Sequence, residues 1–281
     1  MITLKNETMV VEIAELGAEI KSVKKNGVEN MWCGDPAIWG KTAPVLFPIC
    51  GGLKDDKFIF EGKEYHLAKH GFALEKIFAV EKATKTEAVF VLFSDEETKK
   101  GYPFDFEFRV MFKLSGEDLF VTYSVKNTGT GKMYFSFGSH EAFATPEGIE
   151  DYDVIFPEKE TLSACYLYGA QLGAGTYPII KDSNVLPLYD KYFIIDALPF
   201  AGIKSRSATL RNRKTGRSIT VDFPDKPYFV LWHKHLAPYI CLEPWNGIPD
   251  YYDSDYDITK KPGILELESG KTYENTHTLK F

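Results

Sequence analysis

Phe104-Asp105-Phe106-Glu107-Phe108-Arg109-Val110 alternates apolar and polar side chains for the length of a strand. A turn-forming set, Ser115-Gly116-Glu117-Asp118, comes next, and Leu119-Phe120-Val121-Thr122-Tyr123-Ser124-Val125 then repeats the alternation. A period of two sends every second side chain to one face, so this stretch reads as part of an antiparallel meander with one face in a core. The same signal recurs in both directions. Residues 8–14 and 18–23 alternate, and Asn26-Gly27 marks a hairpin. Residues 58–67 read as a hairpin turning at Gly62, and 205–223 as another turning at Lys214-Thr215-Gly216. Residues 228–232 read as a buried strand, and 264–267 and 273–281 as closing strands. Two regions lack the pattern. Residues 39–47 are apolar but carry Pro44 with Pro48 just beyond, which predicts irregular extended chain; 146–190 contain a Gly-rich run and Pro178 and Pro187, which predicts loops walling a cleft.

There are more than a dozen strand candidates, no long amphipathic helix, no linker and no repeat of fixed period. The prediction is an all-β fold: one large antiparallel β-domain spanning 1–281, sheets stacked face to face, with few short helices. Aromatic residues make up 15% of the chain, with 21 Phe and 16 Tyr, which suits strands and a stacking-rich concave surface. The formal charge of -7 comes without any basic block or Arg-rich stripe, which argues against a nucleic-acid partner. No apolar run of ~20 residues is present, so no membrane span is expected. The chain enters a strand-like pattern at once, without the layout of a signal peptide, and a cytoplasmic location is expected. Cys33, Cys50, Cys165 and Cys241 sit apart in apolar contexts and read as reduced packing residues. No Cys or His pair has ligand spacing on one element except the alternating His233 and His235, so neither a metal nor another cofactor is expected.

Two stretches carry candidate chemistry. In Tyr239-Ile240-Cys241-Leu242-Glu243-Pro244-Trp245-Asn246-Gly247 a carboxylate closes an apolar run. An ionised Glu at the edge of a core is costly unless it is paired or used. Pro244 is expected to end the pairing ladder, and Trp245 offers a flat face to a sugar ring. Glu243 is therefore a candidate base; the alternative is a Glu that closes a strand and bonds a turn. In Gly138-Ser139-His140-Glu141-Ala142-Phe143, the glycine frees the backbone and His140 emerges among aromatics, able to move protons near neutral pH. The alternative is a strand-end His with a satisfied ring. In Lys69-His70-Gly71-Phe72-Ala73, His70 reads as a hydrogen-bond donor to substrate oxygens or as a turn His, with Phe72 anchoring the turn. Asp196, at the end of an apolar run, either accepts from sugar hydroxyls or caps a turn. The acidic string Asp253, Asp255, Asp257 lacks the glycine and closing Glu of a calcium loop and reads as solvated.

Taken in order, Phe47-Pro48-Ile49-Cys50-Gly51-Gly52, His70-Gly71-Phe72-Ala73, Gly138-Ser139-His140-Glu141-Ala142-Phe143 and Cys241-Leu242-Glu243-Pro244-Trp245-Asn246-Gly247 resemble the aldose 1-epimerase (galactose mutarotase) superfamily, in its LacX-like branch. The resemblance covers nearly the whole chain and implies a β-supersandwich. It implies Glu243 as general base, His140 as general acid, and His70 and Asp196 as binders of sugar hydroxyls. Trp232 and Trp245 join Phe72 as expected sugar-contacting aromatics. The family usually carries an Arg where this chain has Gly52-Leu53-Lys54, so Lys54 is the candidate substitute donor, without the planar fork of Arg. The implied partner is a small sugar handled by a monomer or homodimer. Some relatives act on hexose 6-phosphates, which keeps a hexose-6-phosphate mutarotase as an alternative, but no Arg cluster lies near the motifs, so a free hexose is favoured. Other classes fit some of these residues. A glycoside hydrolase would use Asp196 with Glu243 as a carboxylate pair, and a silent sugar-binding module would explain the missing Arg.

Overall fold

The alternating stretch and its neighbours build the largest sheet in the computed structural model, which describes residues 1–281. Phe106–Ser115 pairs antiparallel with Asp118–Asn127, and buried Phe106, Phe108, Val110, Phe112 and Leu114 alternate with more exposed polar side chains. Nine antiparallel strands make up this sheet, in the order Gln171–Pro187, Tyr152–Tyr168, Ser207–Asn212, Ser218–Asp222, Thr272–Lys280, Asp118–Asn127, Phe106–Ser115, Glu87–Phe93, Ala79–Ala83. The C-terminal strand thus lies at the centre, which ties the two halves of the chain together. A second sheet has four strands, Glu141–Ala144, Tyr239–Trp245, Tyr228–Trp232 and Leu198–Ala201, in that order. A third, Ile2–Lys5 to Val28–Glu29, is the N-terminal meander, whose last turn is Asn26-Gly27 with both residues at positive φ. The one α-helix, Glu96–Gly101, is six residues long and is capped by Asp95. The β-rich prediction holds, and the hairpins expected at 58–67 and 205–223 are present.

The four-stranded sheet is buried on both faces, and this positions the site. Ile240, Leu242, Phe229, Leu231, Leu198, Phe200 and Phe143 belong to one core of 59 buried residues that also takes in Leu4, Phe108, Val154 and Leu279. The intervening residues face the other way. Tyr239 and Cys241 pack with Trp32 and Ala142, and Val230 and Trp245 with Leu46 and Cys50. A strand covered on both faces shows a continuous apolar run rather than an alternation, which is why residues 239–245 are all buried.

The structure corrects three expectations. Residues 152–187 are two 17-residue strands of a long hairpin, not loops. Their pairing has repeated register shifts, and Pro178 and Pro187 lie on the edge strand, so they break the period without breaking the sheet. Pro244 does not end the ladder: it pairs with Phe229, and the strand continues to Trp245. Cys33 is exposed, whereas the other three cysteines are buried.

Candidate active site

On the far side of the four-stranded sheet from the core lies a trough of about 380 Å³. Strand alternation chooses its floor: Glu243 and Trp245 from one strand, Val230 and Trp232 from the next, and Pro199 with Ala197 and Asp196 at the start of the third. His140 enters from the segment before Glu141–Ala144. The loops at 39–51 and 69–74 supply Trp39, Lys41, Lys69 and His70, and the tip of the long hairpin adds Leu167, Gly169 and Ala170. The hairpin, misread as loop, does wall the cleft; its tip is pinned by Leu172 N–H to the Asp250 carbonyl at 2.8 Å.

Close packing at glycines sets this geometry. A Cβ on Gly138 would lie 2.4 Å from the Trp245 ring and 3.0 Å from Cys50 Sγ. The Trp245 Nε1–H donates to the Ser139 carbonyl at 2.9 Å, so the two motifs lock together across the sheet. Gly71 sits at φ +74, where a Cβ would lie 2.3 Å from the Phe47 carbonyl oxygen. That turn holds His70 itself at φ 71.

His140 Nε2 stands 3.3 Å from Glu243 Oε2. The His140 ring leans on Trp39 at 5.1 Å and meets His70 and Trp232 edge-on, each at 5.6 Å. Both carboxylate oxygens of Glu243 lack a hydrogen-bond partner, as does His140 Nδ1. Burial holds the Glu243 carboxyl well above the usual carboxylate range; Lys69 opposes this, and Glu141 and Asp196 add to it. Burial, with Lys69, pushes His140 down to about 3. Both groups are thus favoured in their uncharged forms, and the contact is better described as a proton-sharing pair than as a fixed salt bridge. His70 accepts the Gly51 N–H at Nδ1 (3.1 Å), which leaves the proton of the neutral ring on Nε2 as a donor. Burial keeps that ring neutral, with His140 and Lys69 acting in the same direction.

Of the eight residues expected from sequence, Glu243, His140, His70, Asp196, Trp245 and Trp232 line the trough. Two do not. Phe72 packs into the core against Phe47, Tyr102 and Phe106. Lys54 is turned away, its Nζ donating to the Ser254 carbonyl at 2.9 Å and lying over the Tyr256 ring. The cations at the trough are instead Lys41 and Lys69. Sequence reasoning missed Trp39, Lys41 and Lys69; for Lys69 the available signal was its place directly before His70-Gly71-Phe72-Ala73. His233 and His235 both meet Asp190, outside the trough.

The stacked antiparallel sheets with this trough define a galactose mutarotase-like β-sandwich. The chain belongs to the aldose 1-epimerase family, which matches it over residues 1–280. It is 33% identical to the plasmid-encoded protein LacX of Lactococcus lactis subsp. lactis over 98% of both chains. It is similar to a solved galactose mutarotase related enzyme from Lactobacillus acidophilus, at 37% identity over 99% of this chain and 96% of that one, with a TM-score of 0.93. A galactose mutarotase-like protein from Lactobacillus casei superposes with a TM-score of 0.95 at 29% identity, covering 100% of this chain and 99% of that one.

Proposed function

We propose that this protein interconverts the α and β anomers of a free hexose, with Glu243 and His140 as the proton-transfer pair. The observation that carries the reading is their 3.3 Å contact on the floor of a tryptophan-walled trough, with no other protein group bonded to either Glu243 oxygen. Anomer exchange moves protons between two oxygens bonded to the same carbon, so two adjacent groups suffice.

Sugar hydroxyls that donate to Glu243, with Lys69 nearby, favour the ionised carboxylate, and the shared proton then rests on His140. Glu243 takes the proton of the anomeric hydroxyl, while His140 gives its proton to the ring oxygen. The ring C–O bond breaks and an open aldehyde forms. The pair is now uncharged, the state that burial already favours. The aldehyde group rotates, His140 recovers the proton from the ring oxygen, Glu243 returns its own to the carbonyl oxygen, and the other anomer closes. No net proton leaves the site. Each positioned transfer contributes ~10²–10⁴-fold. His70 Nε2–H and Asp196 orient ring hydroxyls, and the indoles of Trp232 and Trp245 cover apolar ring faces.

A free hexose is favoured over a phosphorylated one because no arginine lines the trough: Arg213 pairs with Asp153, and Arg217 bonds Asn30. Anomer exchange measured by NMR across free and 6-phosphorylated hexoses tests the reading. Acceleration on a free hexose is expected. Saturable binding without acceleration would make the protein a silent sugar binder, and release of reducing sugar from a glycoside would make it a hydrolase.

A further inference from the structure

Cys241 and Glu243 lie two residues apart on one strand and so share a face, and His140 approaches that face from the segment just before the neighbouring strand Glu141–Ala144. A ring nitrogen of His140, the Cys241 sulfur and a Glu243 oxygen all lie within 4.8 Å of one another. All three residues are buried. Glu243 is 1% exposed, and both its oxygens lack a partner, as does His140 Nδ1. Beyond their mutual contact, no protein group therefore holds the Glu243 oxygens or His140 Nδ1.

Their chemistry is selective. One thiolate, one imidazole and one carboxylate form a set suited to zinc and its borderline-soft neighbours, whereas magnesium and calcium prefer oxygen throughout. Three protein ligands leave a fourth position free, as in open zinc sites, and two of the three, His140 and Glu243, line the trough. The carboxylate and thiolate together balance a double positive charge. We propose that His140, Cys241 and Glu243 form a binding site for a zinc-type divalent cation, and that the bound ion arrests anomer exchange by occupying both proton-transfer groups. The arrest rests on the reading of the site as a mutarotase; the binding does not. On loading, the Cys241 S–H bond is lost, its proton passes to solvent, and no redox change is involved. Sugar and ion compete for Glu243 and His140, so each weakens the other. The spacing of the sequence hides this set, because His140 lies about a hundred residues from Cys241 and Glu243 and only the pairing of Glu141–Ala144 with Tyr239–Trp245 brings it to them.

Protein stripped with a chelator is titrated with zinc chloride by calorimetry, and in parallel with Co²⁺, whose thiolate charge-transfer absorption reports sulfur ligation. One ion per chain is expected, with the cobalt band present and binding weakened by saturating hexose. Cys241→Ser should weaken zinc at least about tenfold through loss of one of three ligands and abolish the cobalt band. Anomer exchange by that variant should persist, and the zinc concentration needed to arrest it should rise by at least the same factor. If Cys241→Ser is poorly folded, Cys241→Ala serves in its place. Wild-type protein that binds no zinc at micromolar levels overturns the proposal. So does binding that survives Cys241→Ser but falls in His235→Ala, which would place the ion at Asp190. If no sugar shows exchange, calorimetry and the cobalt band still decide the site, so that failure stays separate from the failure of the mutarotase reading.

Discussion

Glu243→Gln isolates the charge of the candidate base from its shape. The substitution removes one ionisable group and keeps every heavy-atom position. If Glu243 is the base, anomer exchange should fall ~10²–10⁴-fold, or about 2.7–5.5 kcal/mol of barrier at 1.36 kcal/mol per decade. The structure also fixes the expected sign of the stability change. Once ionised, Glu243 faces the neutral His140 ring with no donor on either oxygen, whereas a glutamine amide presents N–H to His140 Nε2, 3.3 Å from Oε2. A buried unsatisfied group costs about 1–3 kcal/mol, so the variant should be more stable. At about 2.1 cal/mol/K per residue, each kcal/mol is worth roughly 2 °C in Tm for a chain of this size. The folded carboxyl is raised, so the cost of Glu243 is absent below the unfolded value of about 4.3 and grows as pH rises through the folded value. The Tm advantage of the variant should therefore shrink toward pH 4. The assays are polarimetry or NMR exchange for rate and calorimetry for Tm. A variant that exchanges its best hexose at near the wild-type rate refutes the assignment. A variant that loses rate and stability together would make Glu243 a structural residue.

Three further perturbations follow from the geometry. Lys69→Met removes a charge that favours ionised Glu243, so kcat/KM should fall about two- to fivefold at the acidic end of the profile, the scale of a screened charge, with little change at alkaline pH; Lys69→Arg should restore it, and Lys54→Ala should leave the profile unmoved. Gly138→Ala drives a methyl into the Trp245 ring, so unfolding should show a loss of about 1–3 kcal/mol, with KM raised as the indole shifts. Lys226 is wholly buried beside His277, with burial lowering it from 10.5 to about 8. The unfolded chain therefore binds more protons between those values, and wild-type stability minus that of Lys226→Met should rise by about 3 kcal/mol from pH 7 to 10.5, read by denaturant titration.

Much of the fold was written in local pattern. The alternation from Phe106 to Val125 specified the meander and its register, and Asn26-Gly27 specified a hairpin turn, because one-face burial and positive-φ turns depend on near neighbours in the chain. The pattern failed where burial is two-sided or the strand lies at an edge. Residues 239–245 show no alternation because both faces are covered, and Pro178 and Pro187 hide a long edge strand. The chemistry-bearing residue types were legible in the same way. A carboxylate after a buried run and a histidine after Gly138 drew notice because charge beside apolar chain is costly.

What sequence determined by itself, then, was the kind of structure and a short set of candidate residues, Glu243 and His140 among them. Only the tertiary structure decided which of the candidates share a space. It set Phe72 in the core, sent Lys54 to the Ser254 carbonyl, and brought Trp39 and Lys69 to the trough. It also placed Cys241 beside Glu243 and His140. The physical reason is that periodicity assigns a side chain to a face of its own strand, whereas proximity across strands about a hundred residues apart depends on how sheets pair and stack, which no local window contains.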